Sequence, residues 1–177
     1  MNKETISSEN LIFRPMDRED TDLVLKWRNS DAVRRNFLYQ KEITREQHLL
    51  RFDQEIETGE IIQFVILEKN NKRPIGSVYL RNIDKNNKSA EYGIFIGEDS
   101  ARGKGYGSET AGRIVRFFFD DMKYEMLYLR VLKDNNAAIR SYRSAGFQIA
   151  DKNALNEHCE DDRVLFMMIK RQVETES

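Results

Sequence analysis

A chain of 177 residues is long enough for one domain with a sizeable core. Its 29 Lys and Arg nearly balance 30 Asp and Glu, which removes the electrostatic reason to expect nucleic acid as a partner; 33% charged and 40% hydrophobic residues fit a soluble globular protein. No run approaches the ~18 apolar residues of a membrane span, and "MNKETISSENLIFRP" lacks the apolar stretch of a signal peptide, so a cytoplasmic protein without a membrane partner is expected.

In chain order, "NLIFRPM" predicts a short strand ending near Pro15. Asp17 is placed to cap a helix over 18–28, with Asp20 where a capping box prefers Glu and with Leu23, Val24 and Trp27 at helical spacing. A second helix follows in "TREQHLLRFDQEIETG": Thr44 and Gln47 make a capping box, Leu49, Phe52 and Ile56 a stripe, and Gly59 a stop. Three antiparallel strands over 61–68, 74–83 and 89–97 are then separated by the turns "KNNKRP" and "DKNNKS". A helix over 105–121 shows Ala111, Ile114, Val115 and Phe118 on one face, and its end, "FFFDDM", reads as core or as a dimer surface. "EMLYLRVLK" is a strand, "NNAAIRSYRSAG" a short helix closed by Gly146, and "FQIA" and "RVLFMMIK" are the last two strands. The order is β-α-α-β-β-β-α-β-α-β-β, an α/β (α+β) chain with seven strands in a mixed sheet and about four helices, read as one domain over 1–177 with its core at about 10–170.

Gly103, Gly105 and Gly107 crowd a bend between a strand and a helix. Such a bend brings backbone N–H groups close to a ligand, and the helix start adds unpaired donors and a positive dipole end. With Arg102 and Lys104 beside it, the stretch Gly103, Lys104, Gly105, Tyr106, Gly107 and Ser108 suits a diphosphate. A Walker loop is excluded because Ser108-Glu109, not Lys-Ser/Thr, follows Gly107; a dinucleotide fingerprint is excluded by G-x-G-x-G spacing and by Glu98 to Arg102 after the strand. Cys159, in "EHCEDD", sits among acids that raise a thiol pKa, which argues against a Cys nucleophile. As a single Cys it forms no internal disulfide, and with only His48 and His158 besides, no metal is expected.

The pattern Arg102-x-x-Gly105-x-Gly107, together with "NNAAIRSYRSAGF" at 135–147, resembles the two signatures of the GCN5-related N-acetyltransferases, the second being N-x-x-A-x-x-x-Y-x-x-x-G-F. The resemblance covers about residues 10–170 and implies the acyl-CoA N-acyltransferase fold, mostly antiparallel with splayed central strands. It implies acetyl-CoA as donor, its diphosphate on Arg102 to Ser108, its pantetheine arm along Phe95, Ile96 and Gly97, and Asn135 as a further contact. A strand N–H would stabilise the thioester oxygen, and Tyr142 matches the tyrosine that faces the sulfur and donates a proton. An alkylamine with a pKa near 10 needs a base or a site that lowers that pKa, and Glu91 is the candidate base, directly or through water. Packing of Tyr142 with Ile139 and Tyr124, and a charge-binding Glu91, are the competing structural readings.

The segment "LVLKWRNSDAVRRNFLYQKEITREQHLLRF" resembles a branch that holds ribosomal-protein alanine, spermidine and amino-sugar-nucleotide acetyltransferases, the last acting in pseudaminic acid synthesis. On that resemblance Trp27, Arg28, Asn29, Arg34 and His48 line the acceptor side, where an arginine wall suits a sugar-nucleotide diphosphate. Against it, Trp27 shares an apolar stripe with Leu23 and Val24, the arginines can be surface charges, and His48 can be structural. The expected activity is acetyl transfer to a primary amine of a small molecule, in a possible homodimer; polyamines or protein N-termini are the alternative acceptors, and a non-catalytic acetyl-CoA sensor is the alternative of another class.

Overall fold

The computed structural model describes residues 4–151 and 161–172. Cys159, His158 and most of the segment before the final strand lie outside them. Strand β1 (Ile6–Ser7) leads to β2 (Leu11–Pro15), which stops at its proline. The next turn is capped reciprocally: Asp17 accepts from the N–H groups of Glu19 and Asp20, and the Asp20 carboxylate accepts from the Asp17 N–H. It opens helix α1 (Thr21–Asn29), followed by α2 (Asp31–Arg34) and α3 (Arg45–Arg51). Thr44 and Gln47 form the α3 capping box, and the helix continues as one π-turn over Phe52–Ile56.

Strands β3 (Ile62–Glu68), β4 (Pro74–Asp84) and β5 (Ser89–Ile96) form a meander. Then come α4 (Tyr106–Arg116), β6 (Met126–Leu132), α5 (Asn136–Ser144), β7 (Gln148–Ile149) and β8 (Val164–Lys170). Among the described residues the sheet has eight strands in the order β1-β2-β3-β4-β5-β6-β8-β7, one more than the seven expected. The extra strand, β1, is two residues long, too short to show an alternating pattern. The four-residue α2 likewise makes five α-helices among the described residues where about four are expected.

The sheet separates two cores. Leu11, Phe13, Phe64, Ile66, Leu80 and Tyr92 face α4 and α5, whose Ala111, Ile114, Ile139 and Tyr142 complete one cluster. The "FFF" triplet at the end of α4, Phe117 to Phe119, is buried in this cluster, so it is core. Val65 and Phe95 face the other way, onto Val24, Trp27, Val33, Phe52 and Ile56 of the α1–α3 layer.

Neighbouring strands are antiparallel except β5 and β6, which pair in parallel only at Ser89↔Met126, Ala90↔Leu127 and Glu91↔Tyr128. Beyond Glu91, β5 stays on β4 as far as Ile96, and β6 stays on β8 as far as Leu132. The two strands therefore part into a V-shaped gap that joins one face of the sheet to the other.

Candidate active site

On one side of the gap, the glycine bend is built as a cradle. Gly103 and Gly105 have φ of +73° and +80°, a left-handed conformation that only glycine adopts cheaply. A Cβ at either position would meet nothing within 4 Å, so the space above the bend is open. Gly105 caps α4 without any side-chain hydrogen bond, which leaves the N–H groups of Tyr106, Gly107 and Ser108 without intrahelical acceptors. These orphan donors and the helix dipole fit the diphosphate of coenzyme A. Gly107 has a different reason: its Cβ would lie 3.3 Å from Ser141 Oγ, so it sets how closely α4 approaches α5.

The two cations of the bend are turned back into the protein. Arg102 donates to the carbonyls of Ile96 (3.1 Å) and Gly97 (3.2 Å) and pairs with Asp99. Lys104 lies 3.8 Å from Glu68, to which the Tyr106 hydroxyl also donates at 3.3 Å. Glu68 takes further bonds from Arg73 and Asn71, which hold its carboxyl down to about 2. Arg73 in turn donates to Ser100, so this carboxylate network fixes the bend from both ends. Among the expected donors, then, the free ones are main-chain amides.

Along β5, Gly97 donates its N–H to Ile75 at 2.7 Å. By the alternation of an antiparallel ladder, Phe95 and Gly97 turn their backbone groups to β4, whereas Ile94 and Ile96 turn theirs to the gap. Asn135 caps α5, its side chain accepting from the Ala138 N–H. Tyr142 is buried on α5, and burial, then the nearby Tyr79, raises its phenol above the ordinary value. Tyr79 comes from the opposite face: its ring lies over Gly93, where a Cβ would be 2.4 Å from its hydroxyl.

Glu91 stands at the apex of the V but does not project free into it. It is 2% exposed, and its two oxygens accept five hydrogen bonds, two each from Arg81 and Arg130 and one from Asn82, at 2.8–3.1 Å. Burial would push its carboxyl up, but the bonds and charges of Arg81 and Arg130 outweigh this and hold it below its ordinary value. A carboxylate so engaged is a poor proton acceptor, contrary to the expectation of a free base, and it ties β4, β5 and β6 together where the sheet splits.

The acceptor-side candidates divide. Trp27 packs its ring against Gly97, where a Cβ would come within 2.1 Å, and donates to Glu98 at 2.7 Å; it is core and presents no stacking face. Asn29 clamps the loop before α3 by exchanging two bonds with Ile43. Arg34 pairs with Asp31 and Glu42. Arg28, only 6% exposed, stacks 3.9 Å above Phe37 and donates to the Tyr39 carbonyl, but its Nη1 has no partner and no carboxylate pairs with it among the described residues. Burial lowers its pKa; Tyr79 opposes this, while Arg51 and Arg34 add to it. His48 is equally buried with Nδ1 unpartnered, and burial, then Arg51, brings its pKa to about 4, so the imidazole is neutral at pH 7. Arg51, Tyr79, Arg81 and Arg130 have no motif around them, and only the β4–β5 register, Arg81↔Glu91, could have suggested one of the pairings.

Among the described residues no group of three or more His, Cys, Asp or Glu side chains could hold a metal ion, and no helix is long and apolar enough to cross a membrane. Comparison with known proteins agrees with the geometry. The chain is 27% identical over 141 residues to acetyltransferase PseH of Campylobacter jejuni, covering 80% of this chain and 85% of that one. It is 28% identical to spermidine N(1)-acetyltransferase of Escherichia coli, covering 81% and 75%. An uncharacterized protein of Methanocaldococcus jannaschii is 27% identical over 83% of this chain, which spans only 30% of that protein's length. In fold, it superposes on spermidine N-acetyltransferase from Vibrio cholerae in complex with CoA and spermine with a TM-score of 0.79 at 22% identity, over 92% and 96% of the two chains. The sequence profile of the acetyltransferase (GNAT) domain matches residues 10–148, and with the open glycine cradle and the split sheet this shows that the chain belongs to the GNAT family of acetyl-CoA-dependent N-acetyltransferases.

Proposed function

We propose that the acceptor is a small molecule carrying a primary amine and an anionic group, an amino-sugar nucleotide being the form that best fits. The observation that carries this is Arg28: a buried guanidinium without a counter-charge among the described residues is costly unless an anion completes it. Arg51 and Arg34 stand near enough to depress it further, and Phe37 and Tyr79 add aromatic surface. A polyamine would call for acidic lining, and the one acid at the apex, Glu91, is already outnumbered by Arg81 and Arg130. The likeness to PseH supports the same acceptor class.

The chemistry follows from that charge. Acetyl-CoA supplies a thioester carbonyl. An amine held among arginines loses its proton more readily than in water, where its pKa is near 10. The positive surroundings thus lower the amine's pKa, and its proton passes to solvent water rather than to Glu91. An N–H on the gap edge of β5, from Ile94 or Ile96, is available to the oxygen that gains charge. Tyr142, kept protonated by burial, gives its proton to the departing sulfur, and its phenolate takes back, through water, the proton that the attacking nitrogen sheds as the amide forms.

Coenzyme A release is to be measured with three amines: a uridine-diphosphate-linked amino sugar, spermidine and an alanine-initiated peptide. The sugar nucleotide should turn over fastest, and Arg28→Met should cut its kcat/KM by roughly 10- to 100-fold. Spermidine as the preferred amine, with no effect of Arg28→Met, would overturn the proposal.

A further inference from the structure

Tyr92 is a second phenol at the gap, with no role in the chemistry described so far. It lies on β5 immediately beyond the last β5–β6 pair, where the strands have begun to part. Its ring meets Tyr142 edge-on at 5.9 Å and Phe147 at 6.0 Å. The side chain is 2% exposed, yet the hydroxyl has no hydrogen-bond partner among the described residues. Phenylalanine would fill the same space without burying an unpaired hydroxyl, which costs about 1–3 kcal/mol. The group is also coupled to both other phenols: burial, then Tyr142 and Tyr79, raise it well above its ordinary value, so it remains a neutral donor.

We propose that the Tyr92 hydroxyl is a hydrogen-bonding contact for the acetylated end of coenzyme A, a donor set beside Tyr142 that is satisfied only when the gap is filled. The inference rests on the gap being the coenzyme channel. The orphan hydroxyl is then the counterpart of the orphan amides at Tyr106 to Ser108, one holding the reactive end and the others the diphosphate. Tyr142 gives its proton away, whereas Tyr92 keeps its own and orients the thioester.

The test compares wild type, Tyr92→Phe and Tyr142→Phe by thermal denaturation with and without acetyl-CoA, and by steady-state kinetics. Without ligand, Tyr92→Phe should melt at or above the wild-type temperature, because an unpaired hydroxyl is gone. With acetyl-CoA its stabilisation should be smaller, corresponding to about a tenfold weaker affinity. Tyr142→Phe should instead lose turnover, roughly 100-fold or more, with nearly unchanged affinity. Equal acetyl-CoA stabilisation of wild type and Tyr92→Phe, with equal kinetics, would overturn the assignment of Tyr92. A wild type that acetyl-CoA does not stabilise at all would overturn the channel itself, and Tyr92's role with it.

Discussion

The two sides of the gap are made of different material. On the side proposed for the coenzyme, the groups left for a ligand are main-chain amides at Tyr106 to Ser108, and the side chains nearby, Arg102, Lys104 and Glu68, hold that backbone in place. On the side proposed for the acceptor, the buried polar atoms without a partner among the described residues are on side chains, Arg28 Nη1 and His48 Nδ1. A backbone site recognises what every family member shares, a diphosphate. A side-chain site changes with each substitution, so one fold accepts different amines.

The largest effect expected from this contrast is at Gly105. Valine there must adopt a φ near +80° and would put its side chain into the open space of the cradle. Acetyl-CoA affinity, followed by calorimetry, should fall by roughly 100-fold or more while the protein stays folded. Undiminished binding would show that the coenzyme side does not depend on its main chain.

Glu91→Gln examines the apex between the two sides. It leaves the half-buried Arg81 and Arg130 without their carboxylate, and unfolding in urea should show a loss of about 3 kcal/mol. The shape of the kcat against pH curve should persist in whatever activity remains. An intact stability with a vanished acidic limb would restore Glu91 as the base and shift the comparison, because the acceptor side would then own a proton acceptor.

The smallest effect concerns His48. Its folded pKa of about 4 lies below the ordinary 6.5, so the unfolded chain binds the proton more readily. Stability from the neutral, buried ring is complete above about pH 6.5 and is lost as pH falls toward 4. Between pH 7 and pH 5 the wild type should lose about 2 kcal/mol that His48→Leu does not lose, as read from urea midpoints at the two pH values. Parallel pH curves for the two proteins would mean that His48 is not held neutral.

Much of this was legible along the chain, because it is carried by local rules. Asp17 and Thr44 cap as their residue types and spacing require, and Gly103 and Gly105 take the left-handed backbone their neighbours would resist. The strand boundaries of β3, β4 and β5 fall within a residue of those read from alternation and turns. The site was less legible where a residue's role depends on its partner. Glu91 looked like a base until Arg81, from the neighbouring strand, and Arg130, 39 positions later, closed on it. For Trp27 the apolar stripe argued for packing and the resemblance for an acceptor wall, and Gly97 against its ring makes it core. Tyr79 and Tyr92 sit in ordinary strand patterns and carry no signal of their own.

Capping, alternation and glycine placement act over three or four residues, so the order of residues alone determines most of the element order, the glycine cradle and, with it, a place for a diphosphate; the donor was read from the resemblance of two motifs to a family. Where β5 and β6 part, which arginines neutralise Glu91, and which polar atoms stay unpaired depend on groups brought together from distant positions. Charge and desolvation act through space, and only the folded chain decides those distances.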